Sequence, residues 1–360
     1  MRMVKWNAFL SGLCGLALVL GGVAGSAYAD VTAEKGASIL IFPRVVSNDR
    51  FDTVIQIANT GNSPVQAQCF YVNASLRSTI TGAPCTIPSV ACTPLWQETD
   101  FIISLTKQQP THWLASRGRR VDLRAAFGSD GAGFPPGLVP PVTDFEGELK
   151  CVEITESGSP ITGNHLKGEA TVKVVSVEAA GDVVGDVSKY NAVGILGNPD
   201  AQPTNPLLLD GQNYNPCPAK LILNNFSTLP GTRATELTLV PCSEDFENQV
   251  ASRVTVQFLI TNEFEERFST STTVDCYLST ELTTIDSPNA PNSSVFSSQV
   301  LGSLAAQTEI TPVVNNGAVV GVAELRVIQE GAAARAAYNL HTQGDLIPAS
   351  GADQIRLTAE

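Results

Sequence analysis

The side chains able to do chemistry are few, and their spacing withholds the usual catalytic pairings. Three histidines, His112, His165 and His341, stand far apart, and none belongs to an H-x-x-H or H-E-x-x-H pattern. That spacing is what would set two imidazoles on one helical face for zinc. His112 sits beside Trp113 and reads as a strand or turn residue rather than a general base. No serine occupies a G-x-S-x-G elbow. The glycine-rich run at 131–137 lacks the G-x-G-x-x-G spacing, and its prolines remove backbone donors that a phosphate would need. Carboxylates do cluster: Glu146, Glu148, Glu153 and Glu156; Glu244, Asp245 and Glu247; Glu263, Glu265 and Glu266. A glycosidase needs only two carboxylates at a suitable separation, and calcium needs several oxygen ligands from one acidic loop. Each cluster here falls by a turn, loop or strand end, where solvated acids are the default. Asp182 and Asp186 have apolar residues between them, unlike the dense acidic loop that calcium requires. This reading assigns no catalytic residue, no metal ligand and no cofactor, and it does not make the chain an enzyme.

Cysteine and arginine are patterned more tellingly. Cys14 lies in the N-terminal apolar run, leaving Cys69, Cys85, Cys92, Cys151, Cys217, Cys242 and Cys276. In an oxidising compartment most of these should pair. Cys85 and Cys92 are close together among prolines, which suits a local loop bridge. Cys69 with Cys151 would tie two strands of the first half, and Cys217 with Cys242 would close a hairpin opening the second. Sequence alone admits other connectivities, and the odd Cys276 is either a buried free thiol or a bridge between chains. Arg117, Arg119, Arg120 and Arg124 form the only basic cluster. On an acidic protein this is a candidate partner-binding loop, weighed against an ordinary solvated rim.

The address of the chain bounds what these residues can meet. Arg2 and Lys5 precede an apolar run over residues 9–23, and Ala27-Tyr28-Ala29 is a small-x-small site. Residues 1–29 are expected to be a secretory signal peptide, removed to leave a chain that begins at Asp30. The net charge of −13 includes two basic and no acidic residues in that segment, so the mature chain stands at −15. Such a surface repels a phosphate backbone, which argues against nucleic acid, and no later stretch is long and apolar enough for a membrane span. The expected location is secreted: periplasm, cell surface or extracellular.

The elements that must position these groups read as strands. Charged residues make up only 16% of the chain, and β-branched and small polar residues are plentiful, which suits sheets. Residues 53–59 (TVIQIAN) and 65–72 (VQAQCFYV) flank a turn cluster, and residues 38–42 (SILIF) form a short strand that is almost wholly apolar. Residues 254–260 (VTVQFLI) and 271–278 (STTVDCYL) repeat the strand–turn–strand phrase. Residues 168–172 leading to Lys189-Tyr190-Asn191 resemble residues 322–327 leading to Ala337-Tyr338-Asn339. Two motifs in the same order suggest an internal duplication. An apparent extra hairpin, residues 221–223 with 235–239, does not fit a simple copy. Helix is scarce, and residues 243–250 are its best candidate, with Ser243 as N-cap. The proline-rich segment 197–218 reads as a stiff, extended linker whose Leu207-Leu208-Leu209 docks on one domain. The expectation is therefore an all-β chain of two tandem immunoglobulin-like β-sandwich domains, residues 30–196 and 219–360. The first would carry long insertions at 75–94 and 118–141.

The phrase at residues 52–65 (DTVIQIANTGNSPV) resembles immunoglobulin-like β-sandwich domains of bacterial secreted and envelope proteins over residues 38–72. ILIFP at 39–43, WQETDF at 96–101 and FSTSTTV at 268–274 resemble a group of uncharacterised exported bacterial proteins. The resemblance implies export and a β fold; it brings no activity and no site residues. Three functions follow as expectations. The first is a non-catalytic surface, envelope or extracellular-matrix protein that binds a macromolecule through the two insertions. The second is a carbohydrate-binding or carbohydrate-active protein that stacks sugars on Trp96, Trp113, Tyr71 or Tyr190. The third is self-association through Cys276 or an exposed edge strand. The partner is an unidentified protein or polysaccharide.

Overall fold

The computed structural model describes residues 31–85, 91–119, 137–176, 183–313, 317–329, 331–347, 351 and 353–358. The expected signal peptide lies outside these residues. The first half contains β1 (Ile39–Ser47), β2 (Phe51–Asn59), β3 (Val65–Asn73), β4 (Leu76–Ser78), β5 (Cys92–Pro94) and β6 (Gln97–Leu105). It continues with β7 (Pro110–Leu114), β8 (Phe145–Ile154), β9 (Leu166–Val174), β10 (Val187–Asn191) and β11 (Val193–Ile195). Between the halves runs β12 (Leu207–Leu209). The second half has β13 (Cys217–Phe226), β14 (Arg233–Pro241), β15 (Glu244–Asp245), β16 (Arg253–Asn262), β17 (Arg267–Asp275) and β18 (Leu278–Glu281). It ends with β19 (Ala306–Pro312), β20 (Val319–Gln329), β21 (Ala332–Asn339), β22 (His341–Leu346) and β23 (Asp353–Arg356).

The chain is nearly all β, 58% strand and 3% helix, and its small sheets are arranged as a five-bladed β-propeller. This corrects the expected pair of tandem immunoglobulin-like sandwiches. The sheet orders are β11-β1-β8-β3-β6, β10-β9-β2-β7, β12-β23-β15, β17-β16-β19-β13-β22 and β18-β14-β20-β21, with β4-β5 as a small ribbon. These blades are not the consecutive meanders of a repeat propeller, since each collects strands from distant points of the chain. The four larger sheets match in pairs. The order β11-β1-β8-β3-β6 corresponds strand for strand to β22-β13-β19-β16-β17, and β10-β9-β2-β7 corresponds to β21-β20-β14-β18.

The packing joins the two halves through a shared core. One core lies between the first half's two large sheets, where the Trp113 indole donates to the Tyr71 hydroxyl at 2.6 Å. Another fills the second half around Phe226, Phe258 and Phe296. A third joins them: Ile39, Ile41, Phe70 and Val152 of the first half pack with Leu207, Leu209, Val240, Phe246 and Ile355. Every residue of β1 is buried, because its sheet is covered on both faces. Such strands read as continuous apolar runs rather than alternating ones, as residues 39–42 do.

The proline-rich segment carries a paired, buried strand. Leu207 and Leu209 are fully buried and β12 pairs with β23, whose other side takes β15. The predicted helix at 243–250 is instead β15 followed by a turn. Phe246 is drawn into the shared core and stacks on Phe70 at 4.0 Å. The apparent hairpin at 221–239 also fails to form, because β13 and β14 belong to different sheets. They are the counterparts of β1 and β2, so the duplication includes them.

Candidate functional site

The halves meet around Arg44. Pro43 and Arg44 sit where the β1–β8 register shifts between Phe42 and Val45. A bulge of this kind re-aims a side chain, and Arg44 leaves its own sheet to reach the second half. The Tyr190 hydroxyl accepts from the Arg44 amide at 3.1 Å and donates to the Arg44 carbonyl, satisfying the freed backbone groups. The guanidinium donates to Glu324 on β20 at 2.8 Å and to Glu236 on β14 at 3.1 Å. Glu324 also receives Arg335 of β21 at 2.8 Å and the Ser188 hydroxyl of β10. Burial works against the charge on Arg44, and the carboxylates of Glu236 and Glu324 more than offset it. Burial alone would raise Glu324, but Arg44, Ser188 and Arg335 outweigh it and hold its carboxyl below the usual range.

Beside this network opens a polar cleft of about 660 Å³, whose lining includes Arg44, Phe51, Glu146 and Glu236. A larger groove of about 910 Å³ shares its Asn48, Asp144 and Glu146 wall. One side of that groove is Leu76, Arg77, Cys85 and Cys92; the other is Thr272, Thr273, Asp275 and Tyr277 of the second half. Burial and the neighbouring Glu236 push the Glu146 carboxyl up to about 7, against the pull of Arg44 and the Ser279 hydroxyl. Ser279 donates to Glu236 at 2.8 Å.

A second buried charge cluster lies deeper in the same interface. The Lys150 ammonium donates to Glu148 and Glu244 at 2.9 Å each and to the Pro241 carbonyl at 3.1 Å, and the Trp96 indole donates to Glu244 at 2.9 Å. Burial opposes the Lys150 charge, but its two carboxylates keep it raised. Burial pushes Glu148 up to about 7; Lys150 pulls it down, and Glu244 adds to the rise.

The clustered carboxylates divide: Glu156, Glu247, Glu263, Glu265 and Glu266 are exposed, as solvated acids are, and others depart from that default. Glu148, Glu153 and Glu244 are buried, and Glu146 is half-buried. Glu153 meets His165 at 2.6 Å, an isolated pair. His112 and His341 are exposed on β7 and β22, so the three histidines share no site. Among the described residues no group of three or more His, Cys, Asp or Glu is placed to hold a metal ion. Nor is any helix there long and apolar enough to cross a membrane.

Disulfides join Cys69 to Cys151, Cys85 to Cys92 and Cys217 to Cys242. The first links directly opposed residues of β3 and β8. The third spans two sheets rather than closing a hairpin, for the reason given above. Three such bonds indicate an oxidising, secreted environment. Cys276 is a buried free thiol, raised by burial and by the charges of Glu244, Glu148 and Asp275; an interchain bridge through it would require the interface to open. The arginine cluster is not seen assembled. Arg117 is exposed, Arg119 donates to the Thr111 hydroxyl at 3.0 Å, and Arg120 and Arg124 lie outside the described residues, as does most of the 118–141 insertion. The rings expected to stack on sugars are turned inward: Tyr71, Trp113 and Tyr190 are buried, and Trp96 packs against the shared core. Compared with known proteins, the chain matches no family model and no curated protein.

Proposed function

We propose that this is an exported, non-catalytic protein that binds a macromolecular partner in the groove between its halves. The observation that carries this reading is the joint construction of the groove: the Cys85–Cys92 disulfide, with Pro84, Thr93 and Pro94, faces residues of β17 and β18 across an opening of about 910 Å³. The 75–94 insertion has no counterpart in the second half, where β16 and β17 are joined by a short turn. Loops carried on a rigid scaffold are where recognition concentrates. The charged groups behind the groove are engaged with one another, Arg44 with Glu236 and Glu324, which suits a structural role better than a poised acid–base pair. Inward-turned aromatic rings favour a protein partner over a polysaccharide. Periplasm, cell surface and extracellular space all suit a disulfide-bonded binder.

The test is a photo-reactive residue placed at Arg77 or Thr93 in the groove, with Gln343 on β22 as control, in the producing cell. A discrete adduct from the groove positions and none from Gln343 is the expected result. No adduct, or the same adduct from all three, rejects the groove as the binding site.

A further inference from the structure

We infer that two copies of this chain pair edge to edge through β17, forming one continuous antiparallel sheet across a two-fold axis. β17 is the outermost strand of its sheet. Its register with β16 is unbroken from Arg253↔Asp275 to Thr261↔Arg267. Natural edges are usually blunted by lysine, proline, a bulge or a cover. Between Arg267 and Asp275 this strand has no lysine, proline or bulge, and among the described residues no other strand pairs with its outer edge; it reads Phe-Ser-Thr-Ser-Thr-Thr-Val.

The backbone groups point the right way. The β16–β17 ladder is bracketed by the Cys276 amide donating to the Ser252 carbonyl at 2.8 Å and the Asn262 amide donating to the Glu266 carbonyl at 3.1 Å. Even-numbered positions therefore bond across this pair. The Val313 amide donates to the Thr255 carbonyl at 3.0 Å, so odd positions of β16 face the opposite neighbour, β19. On β17 the odd positions, Ser269, Ser271 and Thr273 among them, turn their amides and carbonyls outward, and these three side chains are exposed.

The sequence is self-complementary about Ser271. An antiparallel two-fold there sets Ser271 opposite its own copy, Ser269 opposite Thr273, and Arg267 opposite Asp275. Each odd pair exchanges two backbone hydrogen bonds. Hydroxyl pairs meet in the middle and opposite charges meet at both ends, which are favourable cross-strand combinations. Asp275 already takes Arg253 of its own chain at 3.3 Å, so Arg267 of the second copy would complete an exposed Arg–Asp–Arg cluster. Such an isologous contact closes on itself.

The experiment is sedimentation equilibrium of the exported protein with three variants, each checked for native circular dichroism and melting. Arg267→Asp places like charges at both ends and should weaken the dimer roughly tenfold. The double variant Arg267→Asp with Asp275→Arg should restore it. Ser271→Pro removes an outward amide that the β16 ladder does not use, as an edge strand tolerates, and should leave monomer. A wild-type protein that stays monomeric at the highest concentration overturns the inference. So does a dimer indifferent to Arg267→Asp and Ser271→Pro, or a double variant that fails to recover.

Discussion

Glu146 lies at the wall shared by the cleft and the groove, with its carboxyl pushed up to about 7 by burial and by Glu236. An acid whose folded pKa exceeds its unfolded value holds a proton in the native state that the unfolded chain has already released. Its contribution to stability is therefore greatest below the unfolded value near 4.5, and it is lost as pH rises toward 7. The loss is of order 3 kcal/mol, at about 1.4 kcal/mol per pH unit. Glu146→Gln cannot ionise, so urea unfolding from pH 4.5 to 7.5 should show the wild type falling relative to this variant by about that amount. Parallel profiles would reject the assignment. Glu148, also pushed up to about 7, acts in the same direction in both proteins, so the difference isolates Glu146. These carboxylates are acidic clusters in the sequence, but their burial is not legible there, because it comes from the second half closing over the first. The cysteines contrast with them. A seven-residue spacing among prolines marks the Cys85–Cys92 loop locally, whereas Glu148 and Glu244 meet through Lys150 only once the halves dock.

At the scale of elements, β12 decides between a linker and a structural strap. Leu207 and Leu209 point into the shared core, and the Asn205 side chain binds the Leu357 backbone at both ends, at 2.9 Å each. Leu209→Ala removes buried methyl groups from a packed site and should cost about 2–5 kcal/mol, read as a lowered urea midpoint. The same segment should resist limited proteolysis in the native protein. Early cleavage within 197–218, or a neutral Leu209→Ala, would return it to linker status. Its five prolines speak only of an extended backbone, which a strap and a linker share; that is why composition could not separate them. The duplication was partly legible. The phrases around Tyr190-Asn191 and Tyr338-Asn339 fall on equivalent strands β10 and β21, edge strands of different sheets that touch, with the Asn339 side-chain Nδ2 donating to the Asn191 carbonyl at 2.7 Å. The other match was misaligned: β16 and β17 correspond to β3 and β6, not to β2 and β3. The intervening β4–β5 ribbon hides that equivalence by separating in the first half what a short turn joins in the second.

For the whole molecule, the sheet content follows from local residue types, but the five-bladed arrangement depends on which apolar faces meet, and alternation within single strands does not record that. The one hint was residues 39–42, apolar on both faces, an unneeded extravagance for a strand with one face in water. The consequence is thermodynamic. Two tandem domains on a linker would unfold separately, whereas here the shared core, the Lys150 cluster and the Arg44 network all cross the boundary. Calorimetry of the disulfide-intact protein should show a single transition with calorimetric and van't Hoff enthalpies equal. Arg44→Met sharpens the test. It leaves Glu236 with only the Ser279 hydroxyl among the contacts described above, and Glu324 with Arg335 and Ser188, so breaking this buried ion network should cost about 3–5 kcal/mol. In a cooperative molecule that loss lowers the one transition as a unit. If the halves are thermodynamically separate, the wild type shows two peaks, and Arg44→Met moves them unequally while leaving both in place; that pattern would refute the shared core as the element that holds the molecule together.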